Sequence, residues 1–418
     1  MHILIATPAF PPFIGGGERH TGTLARSLVE NGHSVTVLTS AALKEVDFWL
    51  GQGQEVEVEE DNPNLRIIRM PIRPTPGGLR GLLAWRKSMV LISKLPGTKT
   101  LLQTMAERLP PLSKIDEALN CLNRPVDVVH GFNISWEHAM MVGWRYAYRN
   151  GIPYMASPLA HLGTNSRDRV ALNSTMVHQR YMLSTADMLL TNTSIEAQGL
   201  QSRGVHTVNV AVAGPGVDIP ESVAEFPESS ERWKPYVLFI GRASYDKGAL
   251  HAVQAVLRLQ ERGSRIHLVM IGQETEEFHQ FYENLSDSEK RYVHVLGFVE
   301  ENLKHAYLRD ALALLLPSRT DSFGIVLLES WLYGRPVIAA EAGGIPGVVD
   351  NGKNGILVPF GDIPSLANAI QLLIEDRELN SILGENGRQK LLANFTWEAV
   401  TDKVISAYHE VTGIPKPT

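Results

Sequence analysis

The sequence has very little cysteine and no long apolar run. Its single cysteine, Cys121, excludes an intrachain disulfide framework and any zinc site built from several cysteines. No apolar run approaches the ~18–20 residues of a membrane-spanning helix, and the first six residues lack the charged start of a signal peptide. We therefore expect a cytoplasmic protein, either free or attached peripherally at the inner face of the membrane.

The chain also lacks a positive charge excess and a metal-ligand motif. A net charge of −6 gives no global reason to expect nucleic acid as a partner. There is no D-x-D triplet and no His/Cys cluster, so we expect no metal site. The 418 residues, 44% of them hydrophobic, suffice for two globular domains.

The most informative stretch runs from Leu312 to Asp362. It predicts, in order, a buried strand, a loop, a helix, a second strand and a glycine-rich loop: Leu312 to Leu316, Pro317 to Asp321, Ser322 to Tyr333, Val337 to Ala340 and Gly343 to Gly347. Both loops follow the carboxyl end of a strand. In open α/β sheets that edge binds ligands.

Two carboxylates, Asp321 and Glu329, mark this stretch. If the segment is helical throughout, they are separated by a rotation of roughly 80° and a rise of about 12 Å. That suits two ends of one extended ligand. N–H groups near Phe323 and Gly324 would attract phosphate, so a sugar at one carboxylate and a ribose at the other would complete a nucleotide sugar. The spacing fits equally a helix-capping Asp and a solvated Glu.

The run from Pro317 to Glu329 resembles the E-x7-E signature of retaining GT-B glycosyltransferases, glycosyltransferase family 4. The continuation of that family is matched by Gly334-Arg335-Pro336-Val337-Ile338-Ala339, Gly343-Gly344-Ile345-Pro346 and Gly355-Ile356-Leu357-Val358-Pro359. In one departure, this chain has Asp321 where the family usually has Glu. The resemblance implies that Asp321 contacts the transferred sugar. It also implies that Phe323, Gly324 and Glu329 hold the nucleotide.

A second element of the same resemblance precedes this stretch. Gly241 and Arg242 follow a predicted buried strand, and Lys247 opens the next helix, as in the G-R-x-x-x-x-K-G element of the family. A diphosphate needs cations, and Arg242 offers a fork while Lys247 offers a point charge. Such residues can replace a metal. Phe298 follows another predicted strand, in the region that lines the nucleobase pocket in the family.

The first half of the chain opens with a predicted βαβ unit. Its glycines do not form G-x-G-x-x-G, and no acidic residue clearly ends the second strand, which disfavours a dehydrogenase. Gly16-Gly17-Glu18 resembles the first glycine loop of the family, where backbone approaches phosphate closely; an ordinary tight turn has the same glycines. His161 lies in the loop Pro158 to Gly163 after a predicted strand. It resembles the active-site His that contacts the donor sugar.

We therefore predict a GT-B fold, in which two Rossmann-like domains face each other across a cleft. Each domain would be a parallel sheet covered by helices on both faces. Residues 1–216 would form the acceptor-side domain and residues 217–395 the nucleotide-sugar-binding domain, with residues 219–235 as linker. By resemblance, the C-terminal helix crosses back, so that residues 396–418 pack on the first domain. A further helix is predicted from Arg167 to Ser184.

The implied function is transfer of a sugar from a UDP- or GDP-sugar to an acceptor, lipid-linked or a growing polysaccharide, with retained anomeric configuration. The implied catalytic residues are His161, Arg242, Lys247 and Asp321, with the nucleotide sugar as co-substrate and no cofactor. Two alternatives stay open. A nucleotide-sugar 2-epimerase would need acidic residues for proton removal and no acceptor, and a non-catalytic binding protein is compatible with Asp321.

Residues 62–106 contain no Asp or Glu, although the whole chain is acidic. They carry eight basic residues: Arg66, Arg69, Arg73, Arg80, Arg86, Lys87, Lys94 and Lys99. Within them, apolar and basic residues alternate: Leu82, Leu83, Trp85, Met89, Val90 and Ile92 with Arg80, Arg86, Lys87 and Lys94. This pattern suits an anionic membrane surface. We expect docking on the cytoplasmic leaflet or binding of a lipid-phosphate acceptor; a solvated basic flap or a partner-binding surface fits as well.

Overall fold

The computed structural model describes residues 1–161 and 169–415. These residues form two compact units. The first comprises Met1–His161, residues 169–215 and residues 397–415, and the second comprises Gly216–Thr396. The start of the predicted helix from Arg167 and the end of the predicted loop at Gly163 lie outside the described residues.

The first unit is built on an eight-stranded sheet in the part of the chain that the structure describes. Its strands are β1 (His2–Ala6), β2 (Ser34–Ser40), β3 (Glu57–Asn62), β4 (Leu65–Met70), β5 (Val128–Phe132), β6 (Tyr154–Ser157), β7 (Met188–Thr191) and β8 (Val210–Val212). Their order is β3-β4-β2-β1-β5-β6-β7-β8, with only β3 antiparallel to its neighbour. The chain reverses its direction of growth between β1 and β5, which makes that point the topological switch point of the sheet.

Helices cover this sheet. They are α1 (Gly16–Glu30), α2 (Asp47–Leu50), α3 (Gly78–Ile92), α4 (Lys99–Ala106), α5 (Ile115–Asn120), α6 (Glu137–Asn150), α7 (Val177–Ser184) and α8 (Ser194–Gln201). The strands β1, β5 and β6 are buried along their whole length. Such continuous burial is the expected consequence of parallel strands with helices on both faces.

The second unit contains a six-stranded, all-parallel sheet within the described residues. Its strands are β9 (Tyr236–Ile240), β10 (His267–Ile271), β11 (Val293–Val295), β12 (Ala313–Leu316), β13 (Val337–Ala340) and β14 (Gly355–Val358), in the order β11-β10-β9-β12-β13-β14. Its helices are α9 (Ala249–Glu261), α10 (Glu276–Glu283), α11 (Asp287–Lys290), α12 (Glu301–Asp310), α13 (Ile325–Leu332), α14 (Ile363–Glu375) and α15 (Arg377–Asn394). The switch point lies between β9 and β12.

The helix predicted from Ser322 to Tyr333 is shorter than expected. It begins at Ile325, because Gly324 before it has a left-handed conformation with φ +85°, which is incompatible with a right-handed helix. Asp321 therefore lies in the preceding loop. The predicted helical rotation between Asp321 and Glu329 is wrong, since only the second of them lies on the helix.

The last helix, α16 (Trp397–Thr412), packs in the first unit, as predicted. Its Val400, Val404 and Tyr408 join the core around the first sheet. The Tyr408 hydroxyl bonds Nδ1 of the buried His130 at 2.8 Å, and Nε2 of His130 bonds the Ser157 hydroxyl at 2.9 Å. Burial lowers the pKa of His130 to about 3, so this imidazole stays neutral. No helix in the described residues is long and apolar enough to cross a membrane.

Candidate functional site

Two loops of the second unit are tied together beside its switch point. One follows β9 and the other follows β12, and the two strands are neighbours. The Arg319 amide donates to the Asp246 carbonyl at 3.0 Å, and Arg319 Nε donates to Asp246 Oδ1 at 2.8 Å. A Cβ on Gly248 would lie 2.1 Å from the Pro317 carbonyl oxygen. Only glycine allows this close approach.

The structure brings together two residues that sequence analysis chose separately. Lys247 Nζ donates to Asp321 Oδ1 at 2.8 Å. The carboxylate of Asp321 is only 16% exposed. Its other oxygen, Oδ2, is buried and has no hydrogen-bond partner among the described residues. The loops after β9 and β12 therefore place the ammonium group of a lysine next to a carboxylate that has one oxygen without a donor.

Glu329 has the same arrangement on α13. Its Oε1 accepts a hydrogen bond of 2.9 Å from Lys304 Nζ on α12. Its Oε2 is buried without a partner among the described residues. The sequence does not indicate this role of Lys304, because a lysine three residues after Glu301 is typical of an exposed i,i+3 ion pair. That pair also exists, with 2.7 Å between Lys304 Nζ and Glu301 Oε1.

These two carboxylates are therefore alike. Each is neutralised through one oxygen by a lysine, and each keeps one buried oxygen without a donor. A buried polar atom left without a partner costs about 1–3 kcal/mol. Such atoms in native structures call for an explanation, and an absent ligand is one. A ligand that donates hydrogen bonds at these two positions would satisfy both oxygens.

At the start of α13, backbone groups rather than side chains are available to a ligand. The ring of Phe323 is buried against Phe395, with 5.4 Å between ring centroids, so only its amide can reach a ligand. A Cβ on Gly344 would lie 1.7 Å from the Ser322 carbonyl oxygen, and the Gly344 amide donates to Asp321 O at 2.8 Å. The predicted glycine loop after β13 thus packs directly on the segment before α13.

The remaining predicted residues of the second unit lie at the same carboxyl edge of its sheet. Gly241 follows β9 directly with φ +146°, and Arg242 next to it is exposed, with no ion pair in the described part of the chain. Phe298 follows β11 and is 81% exposed. The described residues bring no three His, Cys, Asp or Glu side chains together in a group that could hold a metal ion.

In the first unit the structure brings Gly17 close to the segment that carries His161. Gly16 is the first residue of α1, and a Cβ on Gly17 would lie 3.6 Å from Leu159 Cδ1. His161 is exposed. The Ala160 amide donates to Glu196 Oε1 at 2.7 Å, so Glu196 of α8 fixes the residue before His161.

Glu196 is the second positioning residue that sequence analysis missed. Its Oε2 accepts from the Asn192 amide at 2.8 Å. Burial raises the pKa of Glu196 to about 7, although both amide donors act in the opposite direction. A Thr-Ser-x-Glu run at a helix start reads as an ordinary N-terminal cap, and Thr193 does cap α8 through the Glu196 amide. The additional contact to Ala160 depends on tertiary structure.

Comparison with protein families agrees with this architecture. Residues 15–216 match the model described as Glycosyl transferase 4-like domain, and residues 223–390 match Glycosyl transferases group 1. A D-inositol 3-phosphate glycosyltransferase of Corynebacterium jeikeium is 30% identical over 295 residues, 65% of this chain and 70% of that protein. A glycogen synthase of Mycobacterium tuberculosis is 25% identical over 98% of this chain and 94% of its own.

Solved structures share the fold over almost the whole chain. Sucrose-phosphate synthase from Thermosynechococcus elongatus superposes with a TM-score of 0.70 at 20% identity, covering 99% of both chains. Anabaena HepE in complex with UDP-glucose gives a TM-score of 0.68 at 17% identity, covering 98% of this chain and 100% of that one. The fold class is GT-B, as predicted.

Fold and relatives together define a glycosyltransferase that depends on a nucleotide sugar. The chain belongs to the group 1 glycosyl transferases, glycosyltransferase family 4. The family, the fold class and the enzyme class predicted from the sequence are thereby confirmed, and the two non-transferase alternatives fall away.

Proposed function

We propose that the second unit holds the nucleotide-sugar donor through the residues described above, and that the sugar is transferred with retained anomeric configuration. Arg242 and Lys247 bind the diphosphate, Glu329 Oε2 accepts from the ribose, and Asp321 Oδ2 accepts from the transferred sugar. The observation that carries this assignment is the pair of buried carboxylate oxygens without donors. UDP-glucose is the first donor to test, because HepE is described in complex with it.

Lys247 can serve both groups at once. An ammonium group has three donors, and Asp321 Oδ1 uses one of them. The others can bind the diphosphate while the carboxylate stays neutralised. The leaving phosphate takes the proton of the acceptor hydroxyl, and Arg242 with Lys247 stabilises the charge that develops on that phosphate. In the first unit, the family resemblance makes Gly16 and Gly17 predicted backbone contacts for a phosphate, and His161 a predicted contact for a sugar.

In this proposal the nucleobase is contacted by Phe298 and by the backbone around it. Its ring is exposed in the loop between β11 and α12, where a base can stack on it. Gly241 leaves space beside Arg242, since a Cβ there would meet no atom within 4 Å. Gly324 directly precedes α13, and in this proposal the N–H groups of the first turn of that helix face the ligand.

Donor binding and product stereochemistry test this function. We expect UDP, and UDP-glucose or another UDP- or GDP-sugar, to raise the melting temperature, with or without a chelator. The anomeric configuration of the product, followed by NMR from the start of the reaction, should equal that of the donor. A product with inverted configuration would contradict retention, and complete loss of activity in chelator would contradict the metal-free diphosphate site.

We further propose that an exposed face of α3 attaches the protein to an anionic membrane surface. The structure revises the predicted segment: Arg66, Arg69 and Arg86 pair with acids of the same unit, and Leu82 and Met89 are core residues. The face of α3 that stays exposed contains Arg80, Leu83, Lys87 and Leu91, which recur at three- and four-residue intervals and therefore lie on one side. The exposed Lys94 follows two residues after the helix ends.

This face has the chemistry of an interfacial helix. Leu83 is 51% exposed and Leu91 is 64% exposed, and no acidic residue occurs between positions 62 and 106. A groove of about 590 Å³ lies along it, lined by Leu83, Lys87, Leu91 and Lys94. Exposed leucines enter the headgroup region, and lysines are attracted to anionic lipid. The electrostatic attraction of one lysine near the surface contributes about 1 kcal/mol to binding.

Vesicle co-sedimentation tests the attachment. We expect binding to vesicles that contain anionic lipid at low salt, and release at high salt. Lys87→Glu with Lys94→Glu should abolish it, whereas Arg26→Glu with Arg149→Glu changes charge equally at exposed positions of α1 and α6 and should retain most of it. Equal loss in both double variants would mean that only net charge matters. Binding of a short-chain lipid phosphate without binding to vesicles would contradict membrane attachment and indicate that this face binds a lipid-phosphate acceptor.

A further inference from the structure

One arginine side chain connects the two loops that carry Lys247 and Asp321. Arg319, in the loop after β12, reaches Asp246 in the loop after β9. Its Nε donates to Asp246 Oδ1 at 2.8 Å, and its Nη2 lies 2.6 Å from the same oxygen. Asp246 immediately precedes Lys247, and Arg319 lies two residues before Asp321. A movement of either loop would therefore have to break this contact or carry the other loop with it.

Two aromatic rings lie against the guanidinium group of Arg319. Its central carbon is 5.5 Å from the ring centroid of Tyr245 and 5.3 Å from that of Phe360. At such distances a cation is attracted by the face of a ring. Both rings also contact His251, a buried residue of α9, with centroid distances of 5.2 and 5.0 Å. Because Phe360 follows β14, Arg319 connects loops after three strands of the sheet.

The Arg319 clamp, which comprises Arg319, Asp246, Tyr245 and Phe360, is poorly explained by a contribution to stability. The side chain of Arg319 is 37% exposed and that of Asp246 is 52% exposed, and ion pairs between such side chains contribute little to the stability of a fold. A guanidinium group does fix orientation, because its donors form a rigid fork and its plane packs on rings. The clamp therefore suits the positioning of neighbouring residues.

We propose that Arg319 is a positioning residue for the donor site. This inference rests on the proposed binding of the diphosphate by Lys247. The carbonyl oxygen of Asp246 belongs to the planar peptide unit that leads into Lys247, and it accepts from the Arg319 amide at 3.0 Å. Arg319 thus holds both the backbone and the carboxylate of the residue before Lys247. The clamp fixes where the lysine side chain begins, and so fixes its approach to Asp321 Oδ1 at 2.8 Å.

The affinity for UDP, measured by calorimetry, tests this role. Arg319→Met keeps the length of the side chain but removes its charge and its donors, so Asp246 and the two rings lose their common partner. We expect the dissociation constant of UDP to rise about three- to tenfold. Arg319→Lys keeps a cation that can donate to Asp246 and should have a smaller effect. In a Lys247→Ala background, Arg319→Met should have no further effect, because Arg319 acts through Lys247.

Arg262→Met is the matched control. Arg262 is an exposed arginine of the same unit, and its Nη1 donates to Asn368 Oδ1 of α14 at 3.0 Å. Its replacement removes a contact between two elements elsewhere in the unit and should leave UDP affinity unchanged. Equal affinity for UDP in wild type and Arg319→Met would overturn the positioning role. An undiminished effect of Arg319→Met in the Lys247→Ala background would overturn it as well.

Hydrogen exchange without ligand measures the clamp independently of donor binding. We expect the amides of residues 244–249 and 317–321 to exchange faster in Arg319→Met than in wild type or Arg262→Met, because the loops open more often. Unchanged exchange in both loops would overturn the clamp, whatever the affinity for UDP. Wild-type protein that binds no UDP would contradict the proposed donor site, and the clamp would then stand or fall by hydrogen exchange.

Discussion

At the scale of single residues, the candidate donor site contains two lysine–carboxylate pairs in one geometry. Lys247 holds Asp321 and Lys304 holds Glu329, each through one carboxylate oxygen. Breaking a buried pair by removing one partner costs more than the pair itself contributes, because it leaves an uncompensated charge. The pairs therefore fix the orientation of two carboxylates in a partly buried place, where the oxygen of each that has no donor can accept a hydrogen bond from a ligand.

Lys247→Ala should weaken binding of UDP. Losing a charge-assisted contact costs roughly 1.5–3 kcal/mol, or about ten- to a hundredfold in affinity. Isothermal calorimetry with UDP measures the effect. Lys290→Ala is the control, because Lys290 pairs with Glu283 elsewhere in the same unit. Equal affinity of the two variants would remove Lys247 from the diphosphate site.

Asp321→Glu restores the residue that is usual in the family at this position. The longer side chain places its carboxylate roughly one methylene further from the backbone, where it meets Lys247 and the donor sugar differently. We expect a changed ratio of kcat/KM values between donors, compared across a panel of UDP- and GDP-sugars. An unchanged ratio and rate would show that the departure from the usual glutamate has no functional consequence.

Lys304→Met should disturb recognition of the ribose. Without its cation, the buried Glu329 loses the hydrogen bond that fixes its orientation. We expect weaker binding of UDP and a smaller difference in affinity between UDP and 2′-deoxy-UDP, both measured by calorimetry. Glu301→Gln removes only the exposed partner of Lys304 and serves as control. If that difference stays at its wild-type value in Lys304→Met, Lys304 does not position Glu329.

At the scale of elements, short segments after parallel strands carry the candidate residues, and buried polar contacts hold those segments. The loop after β6 is held by Glu196 of α8 through the Ala160 amide. The loops after β9, β12 and β13 are held by one another through backbone contacts that require glycine at Gly248 and Gly344. Ligand-binding loops gain precision in this way from a rigid scaffold.

Glu196 should make the free energy of unfolding depend on pH. Its pKa is raised from 4.5 to about 7 in the folded protein, so the folded state keeps a proton that the unfolded chain releases. The free energy of unfolding should therefore fall as pH rises between 4.5 and about 7. Chemical denaturation of wild type and Glu196→Gln at several pH values measures this dependence. The free energy of unfolding should fall less with rising pH in the variant than in wild type.

The same series with Glu398→Gln provides the control for that prediction, since Glu398 is exposed on α16 and should leave the pH dependence as it is in wild type. Glu196→Gln is expected to be less stable at low pH, because its side-chain amide faces a backbone N–H instead of accepting from it. An identical pH dependence in wild type and Glu196→Gln would contradict the raised pKa of Glu196.

At the scale of the whole molecule, the chain returns to its first unit at its end. Helix α16 packs against α1 and completes the core around β1 and β5. The buried contact between His130 and Tyr408 joins residues 278 positions apart. The first unit is therefore closed by a segment that follows the entire second unit in sequence.

Tyr408→Phe should lower the stability of the protein without changing its fold. The variant leaves Nδ1 of His130 buried without a partner, at a cost of about 1–3 kcal/mol. Thermal or chemical unfolding measures it, with Tyr148→Phe as a control at an exposed position. A variant as stable as the control would mean that water or a rearranged side chain replaces the lost hydroxyl.

The sequence by itself determined the fold class, the family and the identity of most candidate residues. Apolar runs of four or five residues with glycine loops after them specify buried parallel strands, and the spacing from Asp321 to Glu329 with Arg242 and Lys247 specifies the family. These signals are local, so they can be recognised in the sequence without knowledge of the tertiary structure. The start of α13 at Ile325 also has a local cause in Gly324, but its left-handed conformation was not predictable from a glycine alone.

Only the tertiary structure decided which charges meet. Lys304 lies 25 positions before Glu329 and looks like an exposed helix residue, while Glu196 looks like part of a helix cap. The sequence likewise does not distinguish exposed from paired residues among the eight basic residues of 62–106. In the structure, three of them pair with acids from other elements. Ion pairs and buried hydrogen bonds between distant residues depend on how helices and loops pack, and the periodicity of a sequence carries no information about those partners.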